Sequence, residues 1–219
     1  PSDVFVLDLE GTARHGGALV RWTRSEVGGL DATTFVAPPL VAHGVRVAIP
    51  THDPAPDARV GRVVDQTRAA VEMVRARTDA RPVVVGHGAG GHLAACMLSE
   101  GRASAAVAIS GLFDLEPLIP ASINAALGLE VMQARPLSPI HWPPPDGSTP
   151  GGAVLDCIVG GAESEALIRQ SRDMAELWGS KRVETRFEVL PGLNHFTVLD
   201  PLFDPDSALV RRVADLGRC

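Results

Sequence analysis

A glycine-rich turn, a glutamate and a histidine occur along this 219-residue sequence in an order that suits acyl transfer. Gly88 is the centre of the turn, Glu163 follows a long apolar run, and His195 follows the next run. Nucleophile, acid and then histidine is the chain order of one large group of sites in which a histidine activates a hydroxyl for attack on a carbonyl. Glycine occupies the nucleophile position here, so the hydroxyl itself is missing.

The glycine-rich turn fits two motifs. Gly86, Gly88 and Gly91 form G-x-G-x-x-G, which lets a helix N-terminus approach a dinucleotide pyrophosphate. Gly86, Gly88 and Gly90 frame G-x-S-x-G, the nucleophile elbow, with glycine in place of serine. A dinucleotide site normally uses the first strand of its fold and an acid at the tip of the next one. Here strands precede the turn and the first later acid at a strand end is Asp114, so an NAD(P)-binding protein is the third-ranked hypothesis.

Composition limits the classes of protein. A net charge of -6 and a pI near 5.6 argue against nucleic acid as a partner. No apolar run approaches the roughly 20 residues of a membrane span, so no membrane partner is expected. The three cysteines, Cys96, Cys157 and Cys219, have no disulfide or metal spacing and are interpreted as reduced thiols of a cytoplasmic protein. The length predicts a single domain over residues 1–219.

The elements that must position these residues alternate between strand and helix. Strands are predicted at Asp3 to Leu9, Ala18 to Trp22, Val45 to Pro50, Pro82 to Gly86, Ala105 to Ser110, Ala153 to Gly160 and Val183 to Leu190. Helices are predicted near Ala32 to His43, Val60 to Val74, from about Leu93, Leu167 to Trp178 and Asp206 to Leu216. This alternation predicts a mostly parallel central sheet with helices on both faces. The first two strands are expected to form an antiparallel edge.

One segment interrupts the alternation. Residues 114–152 contain eight of the chain's 18 prolines, seven of them between Pro117 and Pro145. Proline breaks helices and the interior of sheets, so this segment is expected to hold only short helices and to cover the sheet as an excursion within the domain.

Several segments in order resemble the arylformamidase (kynurenine formamidase) branch of the α/β-hydrolases. They are Gly86 to Ala95, Ile109 to Leu115, Leu137-Ser138-Pro139, Glu163-Ser164-Glu165 with Arg169-Gln170-Ser171, and Asn194-His195-Phe196. The resemblance extends over most of the chain from Phe35 onward and implies an α/β-hydrolase fold. It also implies cleavage of N-formylkynurenine, or a similar aryl formamide or small ester, without cofactor or metal.

The resemblance assigns roles to three residues. Gly88 stands at the nucleophile position, His195 is the general base, and Glu163 is the acid that orients the histidine, although the family usually has aspartate there. Asp114 and Asp156 are poorer candidates for this acid. His87 and His92, on either side of the elbow, lack metal-ligand spacing and are interpreted as structural support or helix surface.

An oxyanion hole needs two N–H donors. One is expected from Ala89, the residue after the nucleophile, and the other from a loop after an earlier strand. Gly28 and Gly29 are placed suitably for the second donor. His15-Gly16-Gly17 has the family's His-Gly-Gly letters, but on the predicted layout it lies in the turn at the opposite end of the sheet.

The substrate pocket is expected to use aromatic side chains near strand ends. Phe113, Trp142 and Phe196 are the candidates in a chain with only 4% aromatic residues. The expected partner is thus a small molecule, and assembly as a homodimer stays open.

Glycine at position 88 leaves three explanations. It is an engineered replacement that holds substrate, or it marks a natural pseudoenzyme that only binds, or His195 activates a water molecule directly. Loss of such a nucleophile typically lowers kcat about a million-fold. The sequence therefore predicts a hydrolase that is inactive or strongly impaired, with a non-catalytic binding protein as the alternative.

Overall fold

The structure is a computed structural model of the chain. It describes residues 3–7, 34–50, 52–53, 55–146 and 152–218. The predictions for Ala18 to Trp22, for Gly28 and Gly29, and for Cys219 fall outside these residues.

A parallel sheet of six strands forms the centre of the described residues. The strands are β1 (Asp3–Leu7), β2 (Arg46–Ala48), β3 (Val83–His87), β4 (Ala105–Ile109), β5 (Val154–Gly160) and β6 (Glu184–Leu190), in the spatial order β2-β1-β3-β4-β5-β6. All neighbouring pairs are parallel. The prediction of a mostly parallel sheet is confirmed.

The prediction that the first strand belongs to an antiparallel edge is wrong. β1 is parallel to both of its neighbours, with Phe5 opposite Ala48 of β2 and Val84 of β3. A parallel neighbour requires a crossover connection, and this cannot be recognised from the apolar run itself. As a consequence, β1 ends beside Gly86, at the same end of the parallel strands as the glycine-rich turn.

Helices cover both faces of the sheet. They are α1 (Ala37–Ala42), α2 (Val60–Thr78), α3 (Ala89–Ser99), α4 (Asn124–Leu127), α5 (Val131–Ala134), α6 (Glu165–Gly179) and α7 (Ala208–Leu216). Buried side chains of α2, α3 and α6 pack on one face, and those of α1 and α7 pack on the other. Successive residues of β3 follow this division, since Val84 belongs to the first cluster and Val83 and Val85 to the second.

Helix α3 begins four residues earlier than the sequence suggested. The prediction started this helix at about Leu93, because the glycines before it have low helix propensity. In the structure α3 begins at Ala89, and the backbone N–H groups of Gly91 and His92 already donate to the carbonyl of Gly88. Gly88 is therefore the residue that joins strand to helix directly.

The proline-rich segment contains only short helices among its described residues. Besides α4 and α5 it holds 3-10 helices at Glu116–Leu118, Arg135–Leu137 and Pro139–His141. Its backbone is tied to the site side of the sheet, since Ile140 N donates to the carbonyl of Phe113 at 3.1 Å.

Candidate active site

The turn between β3 and α3 has the backbone geometry of a nucleophile elbow. Gly88 has φ 56° and ψ −117°, a left-handed conformation that L side chains rarely adopt. Its N–H donates to the carbonyl of Ile109 at 2.9 Å, which ties the turn to β4. The position is thus held by hydrogen bonds, and glycine occupies it without strain.

The neighbouring glycines allow the strand and the helix to approach closely. A Cβ on Gly86 would overlap the carbonyl of Gly90, and one on Gly91 would lie 2.7 Å from the Cα of Gly111. Packing alone therefore requires Gly86 and Gly91. Gly88 differs from both, because a Cβ there would meet only ring atoms of His195 at ordinary contact distances of 3.5 and 3.6 Å.

The predicted acid, Glu163, lies in the loop after β5. The side chain of Glu163 is fully buried. Its Oε1 accepts a hydrogen bond from Gly160 N at 2.8 Å and another from Ser110 Oγ at 2.5 Å. Its Oε2 is 2.8 Å from Nδ1 of His195. The carboxylate therefore has donors on both oxygens, as a buried carboxylate needs.

The histidine comes from the loop after β6. Asn194 Oδ1 accepts the backbone N–H groups of Phe196 and Thr197, at 2.9 and 3.0 Å, and so fixes the turn that presents His195. His87 Nε2 donates to the carbonyl of His195 at 2.7 Å, and the two rings are 4.4 Å apart. The predicted supporting role of His87 has a concrete form in this contact, which holds the backbone of the histidine loop.

Hydrogen bonds also join the two loops to each other. Gly161 N donates to the carbonyl of Leu190, and Ala162 N donates to the carbonyl of Leu193, at 2.8 and 2.9 Å. A Cβ on Gly160 would overlap the Leu193 carbonyl, so glycine is required where the loops cross. This crossing places Glu163 and His195 within hydrogen-bonding distance although 32 residues separate them.

The arrangement can support nucleophilic attack on a carbonyl. Because a carboxylate only accepts, Nδ1 of His195 carries the proton and Nε2 carries the lone pair. Nε2 faces the position that a side chain on Gly88 would occupy. A hydroxyl at that position would complete nucleophile, base and acid.

The residue predicted to supply one oxyanion-hole donor, Ala89, directly follows Gly88. Ala89 is the first residue of α3, and the first N–H groups of a helix lack intrahelical acceptors. The helix dipole also favours negative charge there. Gly28 and Gly29 lie outside the described residues, but β1 ends opposite Gly86, so the chain leaves β1 at the edge of the sheet that holds the elbow.

The three predicted pocket aromatics occupy different environments. Phe196 is 69% exposed and stands edge-on to His195, with ring centroids 5.7 Å apart. Trp142 is half-buried and donates from Nε1 to the carbonyl of Pro136. Phe113 is fully buried in the core, where its ring fills the space that a side chain on Gly111 would need, and its place in the substrate pocket stays a prediction.

Sequence reasoning missed the role of two residues. Ser110 follows β4, is fully buried, has φ 52°, and donates its hydroxyl to Glu163. A buried non-glycine residue with positive φ commonly marks a functional constraint. Gln170 of α6 accepts the backbone N–H groups of Phe113 and Asp114 on Oε1, at 2.7 and 2.8 Å. Both residues lie in segments that resemble the hydrolase family in sequence, but only the fold shows what their side chains contact.

His92, four residues after Gly88, contacts no carboxylate of the described residues. Its side chain is buried, and its Nε2 donates to the carbonyl of Leu137 at 2.7 Å. Burial lowers the pKa of His92 to about 4, against an opposing effect of the hydrogen bond to Leu137. Cys96 Sγ lies 3.7 Å from the same nitrogen, and burial raises the pKa of the Cys96 thiol. This cluster is structural.

One group among the described residues could hold a metal ion. Asp114, Glu116 and His141 place ligand atoms near one another at the surface. The Arg135 guanidinium lies 3.2 Å from Nε2 of His141 and 3.9 Å from the Glu116 carboxylate. A cation already occupies this cluster in the form of arginine.

A family model described as alpha/beta hydrolase fold matches residues 14–199. The chain belongs to the α/β-hydrolase fold family. The matched range includes the β3–α3 turn, Glu163 and His195. Among the described residues, no helix is long and apolar enough to cross a membrane.

The similar proteins described below are hydrolases. The chain is 27% identical to a kynurenine formamidase of Salmo salar over 90% of its length and 69% of the relative, and 25% identical to one of Danio rerio over 83% and 65%. A crystal structure from Silicibacter sp., provisionally described as a thioesterase, matches with a TM-score of 0.74 and 28% identity over 96% of this chain and 74% of the other. These likenesses support the arylformamidase branch of the α/β-hydrolases.

Proposed function

We propose that this α/β-hydrolase chain binds small aryl formamides or esters at the edge formed by Gly88 and His195, and that it lacks serine-dependent hydrolysis. The observation that carries the proposal is the distance of 3.5 Å between the Cβ position of Gly88 and Nε2 of His195. The site has the base and its acid, but the residue between base and substrate has no hydroxyl. The likeness to kynurenine formamidases supports the substrate class.

Each residue of the site has a role in this proposal. His195 is the general base, Glu163 orients it, and Ala89 N–H donates to the developing oxyanion. Gly28 and Gly29 belong to the connection after β1 and are proposed as the second donor. Aromatic substrate contacts are proposed for Phe196 beside His195 and for Trp142 in the proline-rich segment.

The missing hydroxyl determines the size of the expected defect. Removing the nucleophile of a serine hydrolase lowers kcat about 10⁶-fold and leaves a residual acceleration of roughly 10³ to 10⁴ over water. The chain with Gly88 is therefore expected to cleave a formamide only at this residual level, while keeping its affinity for the substrate.

The direct test compares Gly88→Ser with Gly88→Ala. Both variants place a side chain on a residue with φ 56°, so both should lose about 1–3 kcal/mol of stability. Only serine supplies a hydroxyl beside His195. We expect Gly88→Ser to hydrolyse N-formylkynurenine or an aryl ester at least about 10³-fold faster than the alanine variant. If the two variants have equal rates, the proposed site is wrong.

Binding is tested separately on the unaltered chain. A ligand that binds the native state raises the melting temperature. We expect N-formylkynurenine to raise it and NAD or NADP to leave it unchanged. Equal stabilisation by NAD would favour a dinucleotide site at Gly86, Gly88 and Gly91. A cytoplasmic location and a single domain over residues 1–219 stay predictions.

A further inference from the structure

His195 presents a nitrogen lone pair that nothing in the described part of the chain engages. Its Nδ1 proton is committed to Glu163, so Nε2 is the unprotonated nitrogen of the neutral ring. The hydroxyl or thiol of Ser, Thr or Cys at position 88 would donate a hydrogen bond to this lone pair. Glycine has no such donor. The unprotonated Nε2 therefore faces the space that a side chain on Gly88 would occupy.

The ring is also accessible and held in place. The His195 side chain is 35% exposed, whereas its carboxylate partner is fully buried. The His87 ring lies beside the His195 ring at a tilt of 40°, and Phe196 stands edge-on to it. A fixed orientation with one open nitrogen is the geometry that nucleophilic catalysis requires.

We infer that His195 Nε2 is itself a nucleophile, which gives this site an acyl-transfer activity toward aryl esters and thioesters with good leaving groups. The inference rests on the proposed function, because it uses the same cleft and the same histidine–glutamate pair. It differs in the atom that attacks and in the substrates that can react.

The reaction proceeds in two balanced steps. The Nε2 lone pair forms a bond to the acyl carbon, and the bond from that carbon to the leaving oxygen or sulfur breaks, so that an aryloxide or thiolate leaves with its electron pair. The product is an acyl-imidazolium whose Nδ1 proton is held by Glu163. Water then adds to the acyl carbon and the C–Nε2 bond breaks, which releases the carboxylic acid and one proton to solvent and regenerates neutral His195. The released proton balances the charge of the aryloxide or thiolate that left in the first step.

The same chemistry excludes formamides. An amine leaves a tetrahedral intermediate only when a general acid protonates it. In a serine enzyme the histidine delivers the proton that it took from the serine. Here no hydroxyl proton has been taken, Nε2 carries the acyl group, and the remaining ring proton points at Glu163. Acyl transfer to His195 is therefore expected with activated esters and thioesters, and cleavage of aryl formamides is not expected to rise above the residual level given above.

The test uses two acetyl donors with different leaving groups, p-nitrophenyl acetate and phenyl thioacetate. Hydroxylamine is added to compete with water for the acyl group. A common acetyl-histidine predicts the same ratio of hydroxamate to acetate from both donors. We also expect acid-quenched protein to carry one acetyl group on the peptide containing His195, and His195→Gln to lower the rate about 10²-fold or more.

The outcomes separate this inference from the proposed function. A product ratio that depends on the leaving group, an acetyl group on another residue, or a rate unchanged in His195→Gln would overturn it. A His195-dependent rate without an acyl intermediate would mean that the histidine activates water instead, which also overturns it. In Gly88→Ser the acetyl group should move to residue 88, and activity of that variant without acyl-histidine in the unaltered chain would sustain only the proposed function.

Discussion

Two histidines lie close to the ends of the same glycine-rich turn, and their surroundings give them opposite properties. His195 is partly exposed, and its Nδ1 is paired with the carboxylate of Glu163. His92 is buried, and its Nε2 donates to a backbone carbonyl. The Glu163 carboxylate accepts the Nδ1 proton of His195 and fixes its tautomer, whereas burial disfavours the charged form of His92.

This difference indicates which of the two histidines can take part in a reaction. His195 can accept a proton or an acyl group at Nε2 and keep its charge balanced by Glu163. His92 stays neutral over the physiological range, because burial lowers its pKa to about 4. One histidine is thus placed to react and the other holds α3 against the proline-rich segment.

The largest effect is expected when the carboxylate that distinguishes His195 from His92 is removed. In the Gly88→Ser background we expect Glu163→Gln to lower kcat about 10⁴-fold, because the amide neither stabilises the imidazolium nor fixes the tautomer. Steady-state kinetics with an aryl ester measure this. Glu165→Gln, an exposed glutamate two residues away, is the matched control and should keep full activity. A loss of kcat of less than tenfold in Glu163→Gln would mean that Glu163 is not the acid of the site.

A second experiment concerns the buried histidine. With a folded pKa of about 4 and an unfolded value near 6.5, His92 binds more protons in the unfolded state between these pH values. Stability is therefore lost as pH falls through this window, by about 3 kcal/mol from this group. We expect His92→Gln, measured by urea unfolding at several pH values, to show a smaller loss than the unaltered chain.

The control for this experiment is His141→Gln, which replaces an exposed histidine. It measures how much of the pH dependence of the free energy of unfolding follows from replacing a surface histidine, so that the effect of His92 can be judged against it. An unaltered pH dependence in His92→Gln would mean that His92 can ionise inside the fold.

The smallest expected change in kcat concerns the hydrogen bond that positions Glu163. Ser110 donates to the Glu163 oxygen that does not face His195, so it acts as a positioning residue. In the Gly88→Ser background we expect Ser110→Ala to lower kcat about tenfold with little change in KM, as one hydrogen bond to a charged group is lost.

Ser110→Gly separates this role from backbone strain. Position 110 has φ 52°, so glycine should be more stable than alanine there, while both lack the hydroxyl. Equal losses of kcat in the two variants would support the positioning role. A loss that follows stability instead would show that Ser110 only supports the fold.

Much of the fold could be predicted from the sequence because its apolar runs are short and regular. The runs that became β3, β4 and β5 are buried on both sides, and their continuous Val, Ala and Ile content indicates parallel strands. The position of β1 between β2 and β3 could not be predicted, because strand order depends on crossover connections rather than on the run itself.

The site shows the same division at the level of single residues. The sequence by itself determined the order of Gly88, Glu163 and His195 and the lack of a hydroxyl at the elbow, since side-chain chemistry and chain order do not depend on folding. Only the tertiary structure decided that Glu163 contacts both Ser110 and His195, and that Phe113 belongs to the core. The physical reason is that burial and hydrogen bonding arise between loops distant in sequence, and these interactions select one of the roles that each side chain could have had.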